Sequence, residues 1–375
     1  MLGPQGSTDV ISSLLEANLK HRLSRRWLFL LCVLLLAGLV FPLSRALAQD
    51  SQPGDPVCPP NCPVSFGLAS IFAPASNEAS SIITLYNFIF VMAGIIFVLV
   101  EGALLFTVLR FRNRPPEMAE QFHGNTKLEI VWTAAPAVIL AVLMGFTLRT
   151  MGEVRAVGGN VVQVKAIGHQ WWWEFRYPGL DPEVITANEL VVPVGSTIEV
   201  AIESVDVEHG FWAPELFGKV DAIPGYTTRV KFTPTSTGAY VGQCTQYCGT
   251  QHAQMRFGVV VLSASDYQAW AANEQQPAAA ATGDAAAGEA YFLDEGPCKA
   301  CHALNGTAAA GVIGPNLTHL ASRRFIAGGV LENTPENLTL WLRNPQAVKE
   351  GNKMKIPPLD EQTIQNLVAY LSTLK

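Results

Sequence analysis

Four side chains able to bind a soft metal ion lie close together in one segment of the sequence. Cys244 and Cys248 provide thiols, His252 provides an imidazole and Met255 a thioether. Sulfur and imidazole nitrogen suit copper or zinc, whereas calcium and magnesium prefer oxygen. The segment therefore predicts a transition-metal site, with either one ion held by four ligands or two ions that share the sulfurs.

This segment has four interpretations. A plain Cys244–Cys248 disulfide leaves the spacing of the histidine and the methionine unexplained. A tetrahedral zinc site would use two cysteines and two histidines and would ignore Met255. A mononuclear blue copper site needs only one cysteine. Two coppers bridged by both sulfurs would use every available ligand. The ligands would then be His209, Cys244, Gln246 (through its carbonyl), Cys248, His252 and Met255.

A second cofactor motif lies near the C-terminus. Cys298, Cys301 and His302 have the Cys-x-x-Cys-His spacing of a c-type haem attachment site, in which the cysteines form thioethers and the histidine binds the iron. A thioredoxin-like redox pair is the alternative, but no βαβ pattern surrounds the motif. Met354 is the predicted sixth ligand, because a thioether raises the iron potential and suits electron transfer. His319 is its competitor.

The composition favours a membrane protein. Of 375 residues, 49% are hydrophobic and 15% are charged, a balance skewed toward membrane proteins. The formal net charge of −6 argues against nucleic acid as a partner, because phosphate binding needs a basic surface. Basic residues precede the apolar run 27–41 and the sequence Ala46-Leu47-Ala48. Residues 1–48 are therefore predicted to be a signal peptide and not a first transmembrane helix.

Six cysteines remain after removal of such a peptide, and they form three close pairs. Cysteine pairs in an exported protein are expected to oxidise unless a metal or cofactor binds them. Cys58 and Cys62 lie between prolines in the predicted flexible segment 49–81. This pair is therefore predicted to form a small disulfide or to remain as free thiols.

Two long apolar runs, 82–109 and 130–148, are each able to cross a bilayer as a helix. The loop between them is rich in arginine and lysine, which marks the cytoplasmic side. The pattern predicts a two-helix transmembrane hairpin at 82–150 with a large exported C-terminal part. Glu101 lies inside the first run, where a costly ionisable group indicates either a function or a contact with a partner subunit.

From residue 161 the pattern changes to short β-rich runs separated by Gly and Pro turns. This spacing predicts an all-β Greek-key sandwich or barrel at 151–270, and the metal-binding segment directly precedes its last strand. A low-complexity linker is predicted at 271–288. A separate unit follows at 289–375, which carries the haem motif and ends in an amphipathic helix with Asp360 as its N-cap.

On these motifs the chain resembles subunit II of haem–copper cytochrome c oxidases, in the caa-type variant with a C-terminal cytochrome c. The resemblance covers roughly residues 80–375 and rests on Cys-x-x-x-Cys-Gly-x-x-His-x-x-Met, Asp206-Val207-x-His209, Gly168-His169-Gln170-Trp171-Trp172-Trp173-Glu174 and Cys-x-x-Cys-His. It implies a multi-domain, membrane-anchored protein. The implied parts are an N-terminal two-helix transmembrane hairpin, an all-β cupredoxin domain with a dinuclear CuA centre, and an all-α class I cytochrome c domain.

The resemblance also implies roles for single residues. Trp171 is expected to receive electrons beside the copper. Glu129, at the start of the second transmembrane helix, is expected to lie at the mouth of a proton channel. Gln246 departs from the family pattern, because most relatives have a glutamate there whose side chain helps to hold a magnesium ion. The carbonyl of Gln246 still suits copper, whereas its side chain lacks the negative charge that the magnesium contact uses.

The implied function is electron input to an aerobic terminal oxidase. An external donor, either a protein or an upstream quinol-oxidising complex, would reduce one covalent haem c. The haem would feed CuA and then the catalytic subunit, which reduces oxygen to water and pumps protons. Oxidase subunits I and III and membrane lipid are the expected partners, in the plasma membrane of a prokaryote, with both cofactor domains on the exported side. Two alternatives stay open: the electron-input subunit of a CuA-containing nitric oxide reductase, and a stand-alone membrane copper-binding or redox-sensing protein.

Overall fold

The computed structural model describes residues 70–113, 123–155, 159–283 and 285–375. The predicted signal peptide and the Cys58/Cys62 pair lie outside these residues. The described chain forms two units. One contains the central part of two long apolar helices, and the other contains the β-rich part and the C-terminal helical part of the chain.

The two long helices are α1, Asn77–Phe111, and α2, Thr126–Arg155. The Ser76 hydroxyl accepts the backbone N–H of Ala79 at 2.9 Å, and Asn125 Oδ1 accepts that of Leu128 at 3.2 Å, so each helix begins with a side-chain cap. Both are long and apolar enough to span a membrane, and most of their side chains are exposed. They contain the two predicted runs, and α2 continues through Pro136.

Ten strands form a β-sandwich of two five-stranded sheets, ordered β3-β2-β1-β5-β8 and β4-β10-β9-β6-β7. The strands of the first sheet are β1 Val161–His169, β2 Trp172–Tyr177, β3 Val184–Ala187, β5 Thr197–Ser204 and β8 Thr228–Phe232. Those of the second are β4 Glu189–Pro193, β6 His209–Trp212, β7 Val220–Ala222, β9 Gly238–Cys244 and β10 Arg256–Leu262. The pairs β1–β5 and β4–β10 are parallel, and the other pairs are antiparallel.

Aromatic side chains fill the space between the two sheets. Trp173, Phe211 and Phe257 are fully buried, and the rings of Phe211 and Phe257 stack with centroids 4.4 Å apart. Large buried aromatic rings contribute both apolar area and specific ring geometry. The sandwich core therefore lies directly beneath the strand ends that carry the metal-binding segment.

The order of the second sheet brings the predicted metal ligands to one end of the sandwich. β9 ends at Cys244 and β10 begins just after Met255, so residues 245–255 form the loop between two paired strands. The Cys244 N–H donates to the Met255 carbonyl at 2.9 Å and closes this loop. His209 begins β6, which pairs with β9 through Phe211 and Cys244.

The C-terminal part is a small helical domain with one two-stranded sheet. Helix α3, Ala264–Glu274, precedes this domain and packs against β4 and β10 of the sandwich. The helices of the domain itself are α4 Ala285–Ala290, α5 Cys298–Cys301, α6 Pro335–Arg343, α7 Pro345–Val348 and α8 Glu361–Leu371, with a π-helical turn at Tyr291–Glu295 and strands β11 Phe325–Ile326 and β12 Leu331–Glu332. As predicted, Asp360 caps the last helix, because its Oδ1 accepts the Thr363 N–H at 2.9 Å. Helices α3 and α4 occupy both ends of the predicted linker, whose alanines are strong helix formers.

Candidate metal centre and haem cavity

In the segment 244–255, called the metal loop below, the sulfur-containing side chains lie within van der Waals range of one another. Cys244 Sγ and Cys248 Sγ are 3.7 Å apart, and both cysteines are free. This distance is too long for a disulfide, so the disulfide interpretation does not hold. Cys248 Sγ also lies 3.6 Å from His252 Nδ1 and 3.8 Å from Met255 Sδ. The carbonyl oxygen of Gln246 is 3.2 Å from Cys244 Sγ.

His209 joins the same cluster from the neighbouring strand. The ligand atoms of His209, Cys244 and Cys248 all lie within 4.8 Å of one another, and this is the one such group of His, Cys, Asp or Glu side chains among the described residues. His209 Nε2 bonds Asp206 Oδ1 at 2.9 Å, whereas its buried Nδ1 has no hydrogen-bond partner within the described chain. An imidazole ring with one nitrogen bonded to a carboxylate and the other nitrogen unpaired is typical of a metal-binding histidine.

The two thiols affect each other strongly because they are close and buried. The hydrogen bond with Cys248 lowers the pKa of Cys244 to about 4. The same contact raises the pKa of Cys248 far above its usual range, because a second negative charge beside the Cys244 thiolate is unfavourable. The two sulfurs therefore share one proton, and a bound cation would replace that proton. The pair therefore has the electrostatics of a cation site.

Gly210 allows the metal loop to approach strand β6. A Cβ at this position would clash with Thr245 Oγ1 and would lie 2.7 Å from the Gln246 nitrogen. The Thr245 N–H donates to the Gly210 carbonyl at 3.0 Å. A side chain at residue 210 would push the loop away, so this glycine brings His209 and the two cysteines together.

Trp171 lies directly against the metal loop. Its indole Nε1 donates to the Cys248 carbonyl at 3.0 Å, and the Gln170 side chain donates to the same oxygen at 2.8 Å. Trp172 is also buried and stacks on His169 with ring centroids 4.1 Å apart.

A cavity of about 230 Å³ lies in the cytochrome-like domain. Cys298, Cys301, His302 and Met354 all line it. His302 Nδ1 bonds the Pro315 carbonyl at 2.8 Å, which leaves Nε2 free to act as an acceptor. Burial lowers the pKa of His302, so its ring is neutral, as a metal ligand must be.

The sandwich domain closes one side of this cavity. Gln170, Trp171 and Trp172 belong to its lining. Trp171 thus touches the metal loop on one side and the cavity on the other. Sequence reasoning indicated the tryptophan but not this shared wall, because the wall forms only when two distant segments meet.

Several other predicted residues also have defined places. His319 is turned away from the cavity, since its ring nitrogens bond the backbone carbonyls of Lys375 and Gln276 at 2.8 and 3.2 Å. Glu129 is exposed in the first turn of α2, and Glu101 is exposed within α1.

Three residues near the site were missed at the sequence level. Asp206 was noted only as part of a motif, yet it holds His209. Arg323 lines the cavity, and its buried Nε has no partner among the described residues. Lys349 is 3% exposed between the two domains. Sequence spacing gives no signal for the last two, because their surroundings come from residues far away in the chain.

Comparison with known proteins agrees with this architecture. Residues 64–149 match the family model "Cytochrome C oxidase subunit II, transmembrane domain", residues 180–263 match "Cytochrome C oxidase subunit II, periplasmic domain", and residues 285–375 match "Cytochrome c". The chain is 37% identical over 288 residues to cytochrome c oxidase subunit 2 of Alkalihalophilus pseudofirmus, an alignment that covers 74% of this chain and 82% of the relative. The chain belongs to the cytochrome c oxidase subunit II family.

Other relatives of the family are also similar to this chain. Cytochrome c oxidase subunit 2 of Bacillus sp. strain PS3 is 35% identical over 287 residues, which covers 71% of this chain and 80% of the relative. The solved periplasmic domain of cytochrome oxidase subunit II from Bradyrhizobium japonicum is 30% identical, with a TM-score of 0.31, over 32% of this chain and 97% of that one.

Membership of the subunit II family confirms the predicted fold class. The chain has two apolar membrane helices, a cupredoxin-like β-sandwich and a C-terminal cytochrome c domain. It is a membrane-anchored subunit of a haem–copper oxidase, with a copper-type domain and a haem-type domain.

Proposed function

We propose that this chain is the electron-input subunit of an aerobic terminal oxidase. Electrons would pass from the cytochrome c domain to the copper domain and then to the catalytic subunit. The observation that carries this proposal is the position of Trp171, which lines the haem cavity and donates its indole N–H to the Cys248 carbonyl. One side chain therefore touches both candidate cofactor sites.

Two coppers fit the metal loop. The unpaired Nδ1 of His209 and the two sulfurs of Cys244 and Cys248 provide the donor set that copper prefers. The proposed ligands are His209, Cys244, Gln246 (carbonyl), Cys248, His252 and Met255. When bound, the copper pair would supply reversible one-electron chemistry.

A covalent haem c fits the cavity of the C-terminal domain. Its proposed attachment and axial residues are Cys298, Cys301, His302 and Met354. The unpaired Nε of Arg323 is complementary to a haem propionate carboxylate. When bound, the haem would supply a one-electron carrier.

The protein's own residues would orient and shield these groups. Asp206 fixes the ring of His209, and the Pro315 carbonyl fixes that of His302. Buried Trp173 and Phe257 exclude water beneath the copper loop. A dry and rigid surrounding reduces the reorganisation that accompanies a change of charge, and it also sets the reduction potential.

The remaining parts of the proposal concern topology and partners. We propose a signal peptide at 1–48, a flexible segment within 49–81 that ends before α1 begins at Asn77, and a transmembrane hairpin at 82–150. A CuA domain at 151–270 would be joined to a cytochrome c domain at 289–375 by a linker within 271–288, where α3 and α4 occupy the two ends. Both cofactor domains would lie on the exported side of a prokaryotic plasma membrane. Subunits I and III and an external donor protein or quinol-oxidising complex would be the partners, and Glu129 would lie at a proton-channel mouth.

The variant Cys248→Ser tests the copper assignment in the purified oxidase complex. One bridging sulfur is lost, so we expect the haem c to be reduced by an external donor as in the wild type, while electrons no longer leave it on the time scale of turnover. Thr250→Ala is the matched control, because this residue is exposed in the same loop. Normal turnover of Cys248→Ser would contradict the proposal.

The nature of the terminal acceptor is tested separately. The same complex is supplied with oxygen or with nitric oxide, and consumption of each gas is measured. We expect oxygen consumption to dominate. Preferential consumption of nitric oxide would instead support the alternative reductase, with the copper and haem assignments unchanged.

A further inference from the structure

Lys349 is a buried lysine that contacts three carbonyl groups. It is 3% exposed, and its Nζ donates to the main-chain oxygens of Trp171 at 2.8 Å, Gln254 at 3.0 Å and Ala327 at 3.0 Å. Lysine is almost never fully buried unless its charge is compensated. Among the described residues Lys349 has no carboxylate partner, so the three carbonyls satisfy its three N–H bonds.

The three acceptors come from both cofactor domains. Trp171 and Gln254 belong to the sandwich domain, where Gln254 directly precedes the proposed ligand Met255. Ala327 belongs to the cytochrome c domain, as does Lys349 itself. The ammonium group thus joins the backbone beside the metal loop to the backbone that borders the haem cavity.

We propose that Lys349 is an interdomain latch, a positioning residue that holds the cytochrome c domain with its haem cavity against Trp171. The proposal rests on the proposed function, because the latch matters for electron transfer only if Trp171 lies on the electron route. Its structural part, the docking of one domain of this chain on the other, stands on the contacts alone.

Gly328 provides the space that the latch needs. Its φ is +71°, and a Cβ built there would lie 2.6 Å from both Lys349 Nζ and the Trp171 oxygen. Any other residue would therefore place atoms between donor and acceptor. The Gly328 carbonyl also accepts the Arg256 N–H at 3.2 Å, so this short segment contacts the sandwich domain directly as well as through Lys349.

Two neighbouring contacts also join the domains, one of them exposed to water and one to the buried Glu189. Lys353 pairs with Asp206 at 3.0 Å, with the lysine side chain 51% exposed, so salt should screen this pair. The Arg324 N–H donates to Glu189 Oε1 at 2.6 Å. The Lys349 contacts are shielded from water, and for that reason we expect docking to persist at high ionic strength.

The test compares Lys349→Met with Lys355→Met in the assembled oxidase. Both variants remove one positive charge from the same segment, but Lys355 is exposed. Hydrogen exchange is followed in peptides that contain Arg256 and Arg324, whose amides donate across the domain boundary. We expect exchange there to rise about tenfold or more in Lys349→Met, to stay within about twofold in Lys355→Met, and to remain protected in the wild type at high salt.

Electron transfer from reduced haem to copper is measured in the same samples. We expect it to slow about tenfold or more in Lys349→Met after correction for any change in haem potential, because Lys349 also lines the cavity, while the copper resonance spectrum stays as in the wild type. A faster exchange with an unchanged transfer rate would keep the latch and refute the electron route through Trp171. Unchanged exchange at both peptides would overturn the latch itself.

A second pair of variants applies if Lys349→Met does not fold. Gly328→Ala inserts a methyl group into the latch, whereas Gly351→Ala has a similar backbone conformation, φ +78°, and nothing within 4 Å of the added methyl group. We expect faster exchange at the two reporter peptides in Gly328→Ala only. Equal effects of both substitutions, or no effect of either, would refute the latch.

Discussion

Asp206→Asn provides a sharp test of how the metal site is held. The carboxylate accepts four donors: Oδ1 accepts His209 Nε2 at 2.9 Å and the Val207 N–H at 2.8 Å, and Oδ2 accepts the Gln170 N–H at 2.7 Å and Lys353 Nζ at 3.0 Å. Partial burial works to raise the pKa of Asp206, but hydrogen bonds from His209 and two backbone N–H groups outweigh it and hold this pKa well below its usual range.

Asparagine has a single acceptor oxygen, so two of the four donors would face an NH₂ group instead. The His209 ring would lose its charged partner and part of its fixed orientation. Loss of such an outer partner costs about 10- to 100-fold in metal affinity, which is about 1.4–2.7 kcal/mol. We therefore expect copper binding to weaken by this amount.

The assay is competition for copper between the protein and a chelator, followed by the copper absorption spectrum. Lys353→Met is the control, because it removes the exposed ion pair with Asp206 and leaves the His209 bond intact. We expect its copper affinity to stay within about threefold of the wild type. If Asp206→Asn binds copper as tightly as the wild type, the carboxylate does not hold His209 in the loaded site.

Two further predictions concern the haem and the sandwich domain. Met354→Leu removes the proposed thioether ligand, so we expect the haem potential in a redox titration to fall while covalent attachment persists; an unchanged potential would exclude Met354 as a ligand. Burial raises the pKa of Glu215 to about 6, so its contribution to folding stability is present below about pH 4.5 and is lost as the pH rises through about 6. Glu215→Gln should remove this pH dependence of the free energy of unfolding. The change amounts to about 1 kcal/mol at most, because the side chain is partly exposed. An equal slope in thermal unfolding of wild type and variant would contradict this assignment.

Local spacing was enough to predict which candidate ligands lie close together. The ligands of the metal loop fall within one β-hairpin connection, and the haem motif falls within one helical turn, so their proximity follows from the sequence itself. The apolar runs predicted both membrane helices because length and hydropathy alone decide that property. The ends were underestimated, since α1 and α2 extend into polar residues beyond the apolar runs.

Strands without an alternating pattern were harder to predict. β5 alternates between buried and partly buried residues and was predicted, whereas β2, with Trp172, Trp173 and Phe175 buried on both faces, was not. β9 was also missed, because its glycines and polar residues have low strand propensity. Its pairing with β10 and β6 decides its structure, and that information is not local.

The contacts of Lys349 show the same limit for the site. Its neighbours Trp171 and Gln254 lie far away in the sequence. The acceptors are backbone oxygens, which every residue has, so the residue types do not indicate the contact. A lysine in a polar segment is by default a solvated side chain. Only the fold distinguishes it from Lys353 and Lys355 in the same segment.

The shared wall between haem cavity and sandwich domain has a consequence for competition among electron carriers. A domain attached to its own docking surface is present there at a local concentration on the order of millimolar. A freestanding cytochrome would have to displace it in order to reach Trp171. We therefore expect soluble carriers to deliver electrons to the outer face of the attached domain, so that arrival and departure of each electron use different surfaces and do not exclude one another.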